Sequence, residues 1–65
     1  MDKKKIAEKL RALRGTKSRE EVAFNCGITA AAITNYETAL RIPSDDVKIK
    51  LARFFGKSVQ EIFYT

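Results

Sequence analysis

Apolar side chains recur along this chain at spacings of three and four, in five short stretches, with no strand-like alternation between them. Ile6, Leu10 and Leu13 share one helical face and predict a first helix over residues 3–14, closed by Gly15-Thr16-Lys17. Ser18 is placed to cap a second helix, with Glu21 three residues on to complete a capping box. That helix would bury Val22, Ala23 and Cys26 and stop at Gly27, where a positive φ costs little. Thr29 caps a third helix, over residues 30–38, with Ile33 and Tyr36 inward and Ala32 close by. The link Gly27-Ile28-Thr29 is so short that the two helices must cross steeply, with Ile28 plugging the gap beneath the turn. Residues 39–43 read as a loop ended by Pro43. Ser44, with Asp45 and Asp46 in the first turn, opens a fourth helix with the buried stripe Val47, Leu51, Ala52 and Phe55. Gly56 stops it, and Ser58 with Glu61 repeats the box for a short fifth helix carrying Val59, Ile62 and Phe63. The expected fold class is all-α, a compact five-helix bundle.

Size narrows the function. Sixty-five residues make one domain, 1–65, near the lower limit for a self-sufficient core, with no room for a cleft between two lobes. No apolar run approaches bilayer length, and the basic start, Asp2-Lys3-Lys4-Lys5, leads into no apolar segment of the signal-peptide kind. Cys26 is the only cysteine, so no internal disulfide and no cysteine-based zinc site can form. Its expected role is a small core residue, and the expected location is the reducing cytoplasm. Histidine, the commonest general base and metal ligand, is absent, and no carboxylate cluster replaces it. An enzyme, a metal, a cofactor and a small-molecule ligand are therefore not expected. Thirteen Lys and Arg against eight Asp and Glu leave a net charge of +5, which suits a polyanion: nucleic acid or an acidic membrane surface.

The third helix separates these two. Its outer face, Ala30, Ala31, Thr34, Asn35 and Thr38, is short and uncharged, where a solvated helix would carry Lys and Glu. Such a face can enter a major groove deeply. Ala23 must be small because the third helix crosses close above it.

Ser18-Arg19-Glu20-Glu21-Val22-Ala23, then Gly27-Ile28-Thr29, then Ile33, Tyr36-Glu37 and Pro43-Ser44, stand in the register of one known family. From Ile6 to Phe63 the chain resembles the phage-repressor and Cro-like helix-turn-helix proteins, also called the Xre family. The resemblance implies a lambda-repressor-like domain with its motif over residues 18–38, binding double-stranded operator DNA as a transcriptional regulator, a repressor in a phage or mobile-element setting, on the nucleoid when bound. It implies base reading by Ala30, Ala31, Thr34 and Asn35, with Asn35 suited to adenine and Thr34 able to donate to several bases. Ala30 and Ala31 offer methyl contact alone where many relatives carry Gln, Arg or Ser, which gives DNA shape a larger share. It implies phosphate contact by Arg19, where relatives often have Gln, and backbone contacts from Lys17, Ser18, Thr29, Thr38 and Arg41. Glu37 matches a nearly buried carboxylate paired with an arginine of the first helix. Arg14 fits best by register, with Arg11 as the substitute.

Two further expectations follow. One such motif reaches few base pairs, so a homodimer on a palindrome is expected, formed either free or only on DNA. Phe63 or Tyr64 exceeds what a short fifth helix can bury, and Phe54 extends the patch, so Phe54, Phe63 and Tyr64 are the candidate dimer interface. Phe24 and Ile49, off the buried stripes, are open to a partner. The rival function is a protein-interaction module, such as an antitoxin or phage regulator with a weak DNA face, which the alanines of the third helix keep in play.

Overall fold

Local hydrogen bonding at the helix ends sets the frame. The computed structural model describes residues 2–64 and contains, among them, five helices and no strand. Helix α1 spans Lys3–Arg14, capped by the Asp2 carboxylate, which accepts from the Lys4 and Lys5 amides. Helix α2 is Arg19–Cys26, α3 Ala30–Glu37, α4 Asp45–Phe55 and α5 Val59–Phe63. Ser18, Thr29, Ser44 and Ser58 each accept the amide hydrogen three residues on. The reciprocal capping box closes only at α5, where Glu61 also accepts from the Ser58 amide. Those hydrogen bonds, the backbone one first, hold the Glu61 carboxyl below its usual range. At α2 the Ser18 half forms without the Glu21 half. Helix α3 ends one residue before the predicted position: Thr38 is already its cap.

Gly27 and Gly56 end α2 and α4 in the left-handed conformation, each amide bonding back to the preceding turn. A Cβ at Gly27 would meet nothing closer than Lys50 Nζ at 4.0 Å, so the backbone angle, not space, requires glycine there.

Helix α1 packs on α3 and α5, α2 on α3 and α4, and α4 on α5. Between them lie Ile6, Leu10, Val22, Ala23, Cys26, Ile33, Leu51, Ala52, Ile62 and Phe63, all buried, with Leu13, Ile28, Val47 and Phe55 half-buried around them. Cys26 is among the buried ten, its Sγ 3.8 Å from the Lys50 carbonyl oxygen, and burial pushes the thiol up against the opposing charge of Lys50.

Phe63 corrects the expectation from sequence. It retains only 2% of its exposure, because α1 and α4 supply walls that the five-residue α5 lacks by itself. In this conformation it cannot form a surface. Tyr64 stays half-exposed and Phe54 is half-buried, edge-on to Phe55 with centroids 5.2 Å apart. Phe24, Leu40 and Ile49 are exposed, Phe24 almost fully at 85%.

Lys48 is the second departure. It is buried at 5% exposure on the α4 stripe, its ammonium donating to Tyr64 Oη at 3.0 Å and to Asp45 Oδ1 at 3.5 Å. The same ammonium lies over the Tyr64 and Phe63 rings, 5.0 and 5.9 Å from their centroids. The Tyr64 hydrogen bond, ahead of the charge of Asp45, raises the Lys48 pKa despite burial.

Candidate nucleic-acid interface

The turn between α2 and α3 closes through backbone. The Ile28 amide donates to the Ala23 carbonyl at 3.0 Å and the Gly27 amide to Phe24 at 3.3 Å, while Thr29 Oγ1 accepts from the Ala32 amide. Ala23 is 3% exposed under this crossing. A larger side chain there would force the helices apart.

Glu37, the last residue of α3, fixes the far end. Its carboxylate is 2% exposed and accepts from Arg14 on α1, Nε to Oε2 at 2.7 Å and Nη2 to Oε1 at 3.1 Å. Arg19 at the start of α2 donates to the same Oε1 at 3.2 Å. Arg11 donates to the Glu37 carbonyl oxygen, so both arginines considered for this partner reach the residue, on different atoms. Arg14 also holds the loop before α2 through the Lys17 carbonyl, 2.7 Å away. The Glu37 hydrogen bond raises the Arg14 pKa further above an already high value, so the guanidinium stays charged. One buried carboxylate thus ties three helices, and no buried side-chain nitrogen or oxygen among the described residues is left without a partner.

This geometry alters two expected roles. Arg19 is not a free cation: Glu37 holds its Nε, leaving the side chain 40% exposed with its terminal nitrogens unassigned. The carboxylate also answers the unfavourable placement of a cation at a helix N-terminus. Ala30 is half-buried and packs against the core, so the exposed methyl of this turn belongs to Ala31.

Across the rest of the outer face, Thr34 and Asn35 are half-exposed and Thr38 is exposed. Thr34 Oγ1 donates its proton to the Ala30 carbonyl at 3.2 Å, and Thr38 Oγ1 donates to Thr34 at 2.8 Å. With these bonds made, both hydroxyls turn acceptor lone pairs outward. Ser18 and Thr29 differ: their oxygens accept the capping amides and so retain a proton to donate outward.

Lys17, in the loop before α2, and Arg41, in the loop after α3, are both exposed. Arg41 follows a tight reversal in which the Leu40 and Arg41 amides both donate to the Asn35 carbonyl, at 2.9 and 3.1 Å. Ala39 makes that reversal at φ 63°, the one non-glycine residue with positive φ among those described. Sequence reasoning missed this strain, along with the Asp2 cap and buried Lys48. Lys48 did carry a signal, since it stands three before Leu51 and four before Ala52. Nothing local marks Ala39.

Among the described residues no group of three or more Asp, Glu, Cys or His could hold a metal ion, and no helix is long and apolar enough to cross a membrane. The sequence pattern of the helix-turn-helix family matches residues 8–62, from α1 into α5. No curated protein and no solved structure matches the chain.

Proposed function

The chain belongs to the phage-repressor and Cro-like (Xre) helix-turn-helix family of DNA-binding transcription regulators, and from that premise we propose that it is a sequence-specific repressor that reads the major groove with α3. The observation that carries this reading is the uncharged outer face of α3, with exposed cations at Lys17 and Arg41 in the loops before α2 and after α3. Short side chains admit the helix to the groove while cations meet the phosphates beside it. In this reading Ala31, Thr34 and Asn35 lie against base edges, with Ala30 contributing only its half-covered methyl. Lys17 and Arg41 contact the backbone, together with the Ser18 and Thr29 hydroxyls and the outer nitrogens of Arg19. In this reading residues 1–65 act as one DNA-binding domain in the cytoplasm, without a cofactor.

The longest axis of the molecule is 26 Å, shorter than the roughly 34 Å between major-groove faces one turn apart. One copy therefore covers one half-site, and a full operator takes two copies related by a two-fold axis. Tyr64 and Phe54 remain available to such a contact, without Phe63. Titration of the protein with duplex DNA at about 50 and 200 mM salt tests the proposal. Binding that selects certain sequences and weakens steeply with salt is expected. Salt-insensitive or absent binding would favour the protein-interaction module, for which almost fully exposed Phe24 is the feature on this surface.

A further inference from the structure

The hydrogen-bond inventory of α3 restricts which bases it can read. Resting on the DNA-binding reading above, we propose that the half-site is dominated by A·T pairs, recognised through thymine methyl groups and one adenine, with guanine unread by this helix.

Guanine presents only acceptors, N7 and O6, to the major groove, so reading it needs donors, most often from Arg or Lys. From Thr29 to Leu40 the chain has no Arg and no Lys. The two hydroxyls on the outer face, on Thr34 and Thr38, have their single protons directed into the helix, toward the Ala30 and Thr34 carbonyls. Thr29 keeps its proton but stands at the helix cap, where the reading above gives it a phosphate, so the outward donor on the helix face itself is the Asn35 amide. Its side chain makes no hydrogen bond within the described residues, and an amide of this kind pairs bidentately with adenine N6 and N7. The rest of the surface is methyl groups, on exposed Ala31 and on the two threonines. Thymine is the base that offers a methyl in this groove. The threonine oxygens retain acceptor capacity, which suits the amino group of adenine or of cytosine and no guanine edge; the methyls beside them turn the balance to the A·T pair.

Selection of bound duplexes from a random pool by the full chain, followed by base-analogue substitution in the winners, tests this. Enriched half-sites should be A·T-rich, and deoxyuridine in place of a contacted thymidine, which removes only the methyl, should weaken binding about three- to five-fold per position. Placing 5-methylcytosine there, which restores the methyl on a C·G pair, should recover part of the loss. Ala31→Arg adds a donor at an exposed helical position and should shift the selected sequence toward guanine at one position without loss of fold. Enriched sites built on invariant G·C pairs, or sites indifferent to uracil, would overturn the inference while leaving sequence-specific DNA binding intact. A pool that shows no enrichment at all removes the DNA-binding reading itself, and this inference with it.

Discussion

Arg19 and Glu37 meet across the helix-turn-helix, Nε to Oε1 at 3.2 Å, joining the first residue of α2 to the last of α3. The cation at the head of the motif is thereby structural as well as available to DNA. Arg19→Gln should lower stability by about 1 kcal/mol, more than an ordinary surface arginine, because its partner is a buried carboxylate. It should also reduce the salt slope of DNA binding by about one unit. Thermal unfolding and salt titration read the two effects separately. A stability loss with an unchanged slope would confine Arg19 to its structural role.

The tighter partner should matter more. Arg14→Ala removes two hydrogen bonds from a carboxylate with 2% exposure and is expected to cost about 3 kcal/mol. In combination with Arg19→Gln the losses should not add, since both act on Glu37. Urea unfolding of the two single variants and the double variant measures the coupling, and strict additivity would contradict a shared site.

At the reading surface, Asn35→Ala should cost about 1–3 kcal/mol on a selected duplex, little on random DNA, and leave unfolding unchanged. Parallel titrations decide it. Equal loss on both duplexes, or none on either, would remove Asn35 as a base reader.

Ala39 is a site for stabilisation. A left-handed backbone costs an alanine about 1 kcal/mol that glycine avoids, reduced in part by the greater freedom of glycine when unfolded. Ala39→Gly should therefore raise the melting temperature by a few degrees. A lower melting temperature would mean that the turn does not adopt this angle in solution.

Lys48 makes stability depend on pH at the alkaline end. Its pKa is raised in the folded chain, so its contribution is complete below the ordinary lysine value of 10.5 and is lost as pH climbs through the raised one. Lys48→Met, similar in volume and apolar, should unfold at neutral pH with stability equal to or above the parent, while Lys48→Ala loses about 2 kcal/mol of packing. Difference unfolding curves at pH 7 and pH 11 check the sign: the stability of the parent relative to the Met variant must fall as pH rises.

The parts of this fold legible in the sequence are those whose cause is local. Ser44, Gly56 and the Ser58–Glu61 pair mark helix ends by chemistry within a few residues, and the Ile6–Leu10 stripe shows its face by spacing. Where the cause lies elsewhere in the chain, the reading failed. Phe63 looks surplus until α1 and α4 enclose it, and Arg19 looks misplaced until a carboxylate 18 residues later reaches it. Lys48 was hidden by its own charge, although its spacing is that of a core residue. The outer face of α3 is legible as a surface, while the bonds its threonines make to carbonyls of the preceding turn are not marked by composition.

Cys26 has one more consequence. A lone thiol at 3% exposure, with its pKa raised, reacts only when the bundle opens. The native chain thus carries its own reporter: the rate at which a thiol reagent labels Cys26 counts excursions out of the folded state, with no dye, tag or substitution. Since Cys26 sits at the base of the α2–α3 turn, a ligand that clamps that turn should slow the labelling, and the degree of slowing would measure how strongly the bound state is favoured.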